Sequence, residues 1–62
     1  MHMIYENIKR IADEKNLTIR AIEREAGLGN KVIAGWKESS PSVNNLSKVA
    51  NVLGVSIEEL LK

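Results

Sequence analysis

Sixty-two residues with a formal net charge of +1 form one small domain, 1–62, whose folding surplus is thin, because a chain this short buries only about 60% of its unfolded surface. With no cysteine and one histidine, neither disulfides nor a Cys/His metal cage can staple it, so helix packing must supply the stability. The apolar residues are mainly Ile, Val, Leu and Ala in short runs such as Val32-Ile33-Ala34, which excludes a membrane-spanning helix and the apolar stretch of a signal peptide.

Apolar spacing divides the chain into five short helical segments. The first is expected from Ile4 to about Lys15, with Ile4, Ile8, Ile11 and Ala12 on one face and a Glu6–Arg10 pair outside. Asn16 is a suitable stop, since Asn tolerates the left-handed backbone. Thr18 reads as the N-cap of a second helix to about Glu25, burying Ile19, Ile22 and Ala26. Gly27 then turns the chain, Leu28 plugs into the core, and Gly29 stands where the next N-cap belongs. A third helix is expected from Asn30 to about Lys37, burying Val32, Ile33 and Trp36. The loop Ser39-Ser40-Pro41-Ser42 follows, with Pro41 blocking propagation. Ser42 caps a fourth helix carrying Leu46, Val49, Ala50 and Leu53, which Gly54 ends. Ser56 with Glu59 has the spacing of a capping box and opens a last helix with Ile57, Leu60 and Leu61.

Leu17-Thr18, Ile22, Ala26-Gly27-Leu28, Ile33, Trp36, Pro41, Leu46, Val49-Ala50, Leu53-Gly54-Val55-Ser56 and the closing Glu-Glu-Leu-Leu occur in order over three quarters of the chain. In this pattern the sequence resembles the phage-repressor and Cro type of helix-turn-helix domain (lambda repressor-like). The resemblance implies an all-α fold of five helices, with helices two and three forming the helix-turn-helix. It also implies a noncatalytic regulator, a phage or prophage-type repressor or its DNA-binding head, acting in the cytoplasm of a bacterium or a phage-infected host. Its partner would be an operator in double-stranded DNA. Binding as a homodimer would place two copies on half-sites about 34 Å apart, with Val55, Ile57 and Leu61 available for a modest isologous contact.

A major groove admits one helix, and the tight turn would hold the third out as a probe. Asn30 and Lys31 would lie at its start. An Asn amide pairs with adenine N6 and N7, and Lys donates to guanine O6 and N7. Ala34 could touch a thymine methyl, and Gly35 either permits close approach or is indifferent. Phosphate contacts are expected from Thr18, Arg20, Lys37, Ser39, Ser40, Ser42 and Asn44. Two residues depart from the family pattern. Ile19 stands where Gln is common, and Glu23 stands where a small Ala often lies beneath the third helix. That glutamate either snorkels to solvent or caps a polar contact between helices.

Other residues have plainer readings. Trp36 shares the spacing of Ile33 and is expected in the core, not on a base. Lys9, Arg10 and Lys15 form a solvated face. Glu23 and Glu25 point apart on a helix and make no acid/base pair. No role is assigned to Met1-His2-Met3, and neither a metal, a cofactor nor a small-molecule substrate is expected. The reading from a different class is a protein-interaction module, an antitoxin or adaptor on the same fold, which a broad exposed apolar patch would favour.

Overall fold

A computed structural model describes residues 3–62, so the lone histidine, His2, lies outside the described residues. The chain forms α1 (Ile4–Glu14), α2 (Ile19–Ala26), a 3-10 helix (Ala34–Lys37), α3 (Val43–Leu53) and α4 (Ile57–Leu61). α2 packs chiefly on α3, while α1 reaches from the 3-10 helix to α4, and α4 closes against α3. No helix among the described residues is long and apolar enough to cross a membrane.

The apolar faces expected from spacing meet in one core. Ile4, Ile8, Ile11 and Ala12 of α1 join Ile22, Ile33, Trp36, Leu46, Val49, Ala50, Leu53 and Leu60. Ile19, Ala26, Leu28, Val32, Ile57 and Leu61 are partly buried around them. Burying an Ile, Leu or Val contributes about 1.5–3 kcal/mol each, which is what a domain without staples must rely on.

α1, α2 and α3 end in the same way, at Asn16 (φ 58°), Gly27 (φ 75°) and Gly54 (φ 70°). At each stop the residue's own N–H reaches back three residues, and the following N–H reaches back five: Leu17 to Ala12, Leu28 to Glu23 and Val55 to Ala50. These paired bonds satisfy carbonyls that a helix end would otherwise leave open. The expected starts hold as well, since Thr18 Oγ1 accepts from the Ala21 N–H at 3.0 Å and Ser42 Oγ from that of Asn45 at 3.2 Å.

Three local expectations are corrected. Ser56 has the extended backbone of an N-cap but its side chain accepts no bond, and Glu59, the other half of the expected box, pairs with Lys62 at 3.1 Å. Arg10 pairs forward with Glu14 at 3.7 Å, not with Glu6, while Lys9 bonds Asp13 at 2.8 Å. That hydrogen bond holds the Lys9 ammonium above the ordinary lysine value. The third helix is also shorter and tighter than expected, as described below.

Asn7, which the spacing left unassigned, ties the two ends of the fold together. Its Nδ2 donates to the carbonyl of Leu60 in the last turn of α4 at 3.0 Å and to that of Lys62 just after it at 2.9 Å. Replacing it, Asn7→Ala, is expected to cost about 1 kcal/mol and so to lower Tm by roughly 4–8 °C in thermal unfolding followed by circular dichroism. An unchanged Tm would mean that α4 needs no such tie.

Candidate nucleic-acid interface

The region between α2 and α3 is built on two buried anchors and one buried charge. Ile33 is fully buried and Trp36 is 9% exposed, so both point inward as their spacing requires. Asn30, Lys31, Gly35 and Lys37 are exposed and Ala34 is half-buried. The segment therefore keeps the inward and outward sides expected of it.

Its backbone differs from a helix starting at Asn30. Lys31 is left-handed, with φ 68°, and only Ala34–Lys37 is helical, with i→i−3 bonds from Trp36 to Ile33 and from Glu38 to Gly35. The Gly35 N–H is shared between the carbonyls of Lys31 at 3.2 Å and Val32 at 3.1 Å. Composition accounts for this. Two glycines, an Asn and the β-branched pair Val32-Ile33 are poor helix formers, and an interior Gly costs about 1 kcal/mol relative to Ala. Gly29 consequently is not a helix N-cap, and Asn30 and Lys31 occupy a turn, not the first turn of a helix.

The missing cap is supplied from α2. Glu23 is 2% exposed, and its two carboxylate oxygens take different backbone donors. Oε1 accepts from the Lys31 N–H at 3.2 Å and Oε2 from that of Ile33 at 3.0 Å. Of the two readings open for this residue, the polar contact between helices is the one formed. On its outer side Arg20 Nη1 lies 3.5 Å from Oε1, with the arginine 55% exposed. One carboxylate thus brings Arg20 of α2 and Lys31 of the turn together. Glu25 is exposed and takes no part in this contact.

The expected phosphate-contacting residues are less uniformly placed. Thr18, Ser39, Ser40, Ser42 and Asn44 are all exposed. Thr18 and Ser42 also serve as helix caps, and Ser39 Oγ donates to the Gly35 carbonyl at 3.1 Å, tying the loop to the 3-10 helix. Lys37 is engaged with α1, its ammonium over the ring of Tyr5 at 4.7 Å, within cation–π range. Neither α1 nor Tyr5 had been drawn into the site by spacing.

Gly35 stands in open space, which suits both a close approach by a partner and an indifferent position. A Cβ added there would meet nothing within 4 Å, so the protein's own packing does not require glycine. Among the described residues, no group of three or more His, Cys, Asp or Glu is placed to hold a metal ion.

The comparisons with known proteins agree with this architecture. A helix-turn-helix family model matches residues 8–60. The structure is similar to the N-terminal DNA binding domain of SinR from Bacillus subtilis, with a TM-score of 0.89 and 31% identity, over 100% of this chain and 94% of that one. No curated protein sequence matches the chain. With its buried Ile33 and Trp36, its glycine corner after α2 and a family match over most of its length, the chain belongs to the helix-turn-helix domains of the Cro and lambda-repressor type.

Proposed function

We propose that this chain is a sequence-specific DNA-binding transcription regulator that reads the major groove with the exposed side of the segment Asn30–Gly35. The observation that carries the reading is the fixed corner after Gly27. Ile33 and Trp36 anchor one side of the segment in the core, and Asn30, Lys31 and Gly35 stand exposed on the other. Similarity to a domain described as DNA binding supports the same reading. Asn30 and Lys31 carry the base-reading donors and acceptors, Ala34 supplies a methyl surface, and open space above Gly35 leaves room for a base edge or sugar. Arg20, Lys37, Thr18, Ser39, Ser40, Ser42 and Asn44 hold the flanking phosphates.

Regulation follows from occupancy. A repressor of phage type bound at an operator blocks polymerase, and two copies on adjacent half-sites give the affinity that one short reading segment lacks. Cytoplasmic operation in a bacterium follows from that role. Among the described residues the exposed large apolar side chains are Met3 at 57% and Val43 at 73%, at the starts of different helices, which favours DNA over a protein partner needing a broad apolar patch.

Selection of sites from a random oligonucleotide pool tests the proposal, followed by titration of the chosen duplex and a scrambled one. The double variant Asn30→Ala/Lys31→Ala is expected to lose about 10- to 100-fold in preference, from about 1–3 kcal/mol of discrimination per base contact, while scrambled-duplex affinity changes by about threefold. Contacts by Arg20, Lys31 and Lys37 should give a salt slope of about −2 to −3. A flat salt dependence, or a double variant that discriminates as well as the parent, would refute the assignment.

A further inference from the structure

We propose that Glu23 is a positioning residue for base reading: its buried carboxylate fixes the backbone that presents Asn30 and Lys31, and so sets sequence preference without touching DNA. The inference rests on the DNA-reading assignment above and names the group on which its accuracy depends.

Three observations lead to it. First, a charge that is 2% exposed is unusual unless its bonds are made, and here both oxygens are occupied by main-chain donors of one short turn. Because the two amides flank Val32 and bond different oxygens, the carboxylate fixes the turn's twist as well as its distance from α2. Second, the turn holds a strained residue. Lys31 is a non-glycine at φ 68°, a backbone state that persists where its surroundings over-determine it, and its N–H is one of the two that Glu23 holds. Third, the sign of the charge is wrong for the partner. A carboxylate beneath a DNA-facing surface repels phosphates, and Arg20 at 3.5 Å offsets that only in part. A group serving general affinity at this position would be neutral or cationic, whereas a carboxylate trades nonspecific grip for a fixed reading surface.

Shape and charge can be separated with Glu23→Gln, which keeps the size but offers one acceptor oxygen, so one of the two amides loses its bond. Glu23→Asp keeps the charge but falls one methylene short. Folding of each variant is checked by circular dichroism, and protection of the Lys31 and Ile33 amides by hydrogen exchange. Affinity is then measured for the duplex selected by the parent and for a scrambled duplex. In E23Q the ratio of selected to scrambled affinity is expected to fall about tenfold, with scrambled-duplex affinity equal to or above that of the parent. E23D is expected to fall less, with its charge and scrambled-duplex affinity unchanged. Asn7→Ala, weakened at the α4 end, is expected to keep the parental ratio, which separates positioning from lost stability.

A folded E23Q that keeps the parental ratio overturns the role of Glu23 and leaves the DNA-reading assignment standing. If E23Q does not fold, E23D decides, and an unchanged ratio there overturns the proposal equally. An Asn7→Ala ratio that falls as far as that of E23Q reduces Glu23 to general stability and also overturns it. A parent protein without sequence preference removes the underlying assignment and the proposal together.

Discussion

Trp36→Ala is expected to destabilise the domain by about 3–5 kcal/mol, the range for deleting a buried tryptophan. The side chain is 9% exposed and shares the core with Ile33, Ile22 and the apolar face of α3. Domains hold roughly 0.05–0.15 kcal/mol of stability per residue, so 62 residues hold about 3–9 kcal/mol in total. The substitution therefore takes away a third or more of the available stability, and a substantial fraction of the variant should be unfolded near 37 °C. Trp36→Phe, which restores much of the buried surface, should recover most of it. Trp36 is the single tryptophan, so both variants have to be followed in urea by circular dichroism, not by fluorescence. The outcome separates two roles for an aromatic residue beside a DNA-facing segment. A base-stacking tryptophan could be removed with little change in the urea midpoint and a large loss of DNA affinity. That result would contradict its place in the core.

Trp36 also shows what the sequence could and could not reveal. Its burial was legible because Ile33 and Trp36 are three residues apart, but that spacing suits a 3-10 turn as well as an α-helix. Periodicity therefore found the correct inward side and gave the wrong backbone for Asn30–Lys37. The helix ends were legible for a firmer reason. Asn16, Gly27 and Gly54 each stand directly after an apolar stripe, and all three adopt the left-handed backbone that such residues accept at low cost. Ser56 with Glu59 had the spacing of a capping box, yet the glutamate found Lys62 within its own turn instead. Long-range pairings escaped altogether. Asn7 meets the carbonyl of residue 62 and Lys37 meets Tyr5, across separations at which residue spacing carries no signal. Glu23 lies between these cases. It could be recognised as out of place beneath the third segment, but which amides it serves depends on how the turn after Gly27 brings Lys31 back to α2.

That arrangement sets the second large effect, and magnitudes decide which of the Glu23 contacts matters for stability. The Arg20 contact is an ion pair at 3.5 Å whose arginine is 55% exposed, and exposed pairs contribute about 0–1 kcal/mol. The two main-chain bonds share a carboxylate acceptor that is 2% exposed, one bond being buried and the other part-buried, and bonds to a charged acceptor contribute about 1.5–3 kcal/mol each before non-additivity. Glu23→Ala removes both acceptors, leaves the Lys31 and Ile33 amides without partners, and opens a gap between α2 and the turn. A loss of about 2–4 kcal/mol is expected, against less than about 1 kcal/mol for Arg20→Ala. Urea titrations of both variants at the same pH and salt give the comparison directly, since each midpoint shift converts to a stability difference through a common slope. Raising the salt should shrink the Arg20→Ala effect and leave that of Glu23→Ala nearly unchanged, because screening acts on exposed charges and not on bonds inside the fold. Equal losses from the two variants would place the stabilisation in the ion pair, and the turn would then be held by its own contacts with the core, not by the carboxylate of α2.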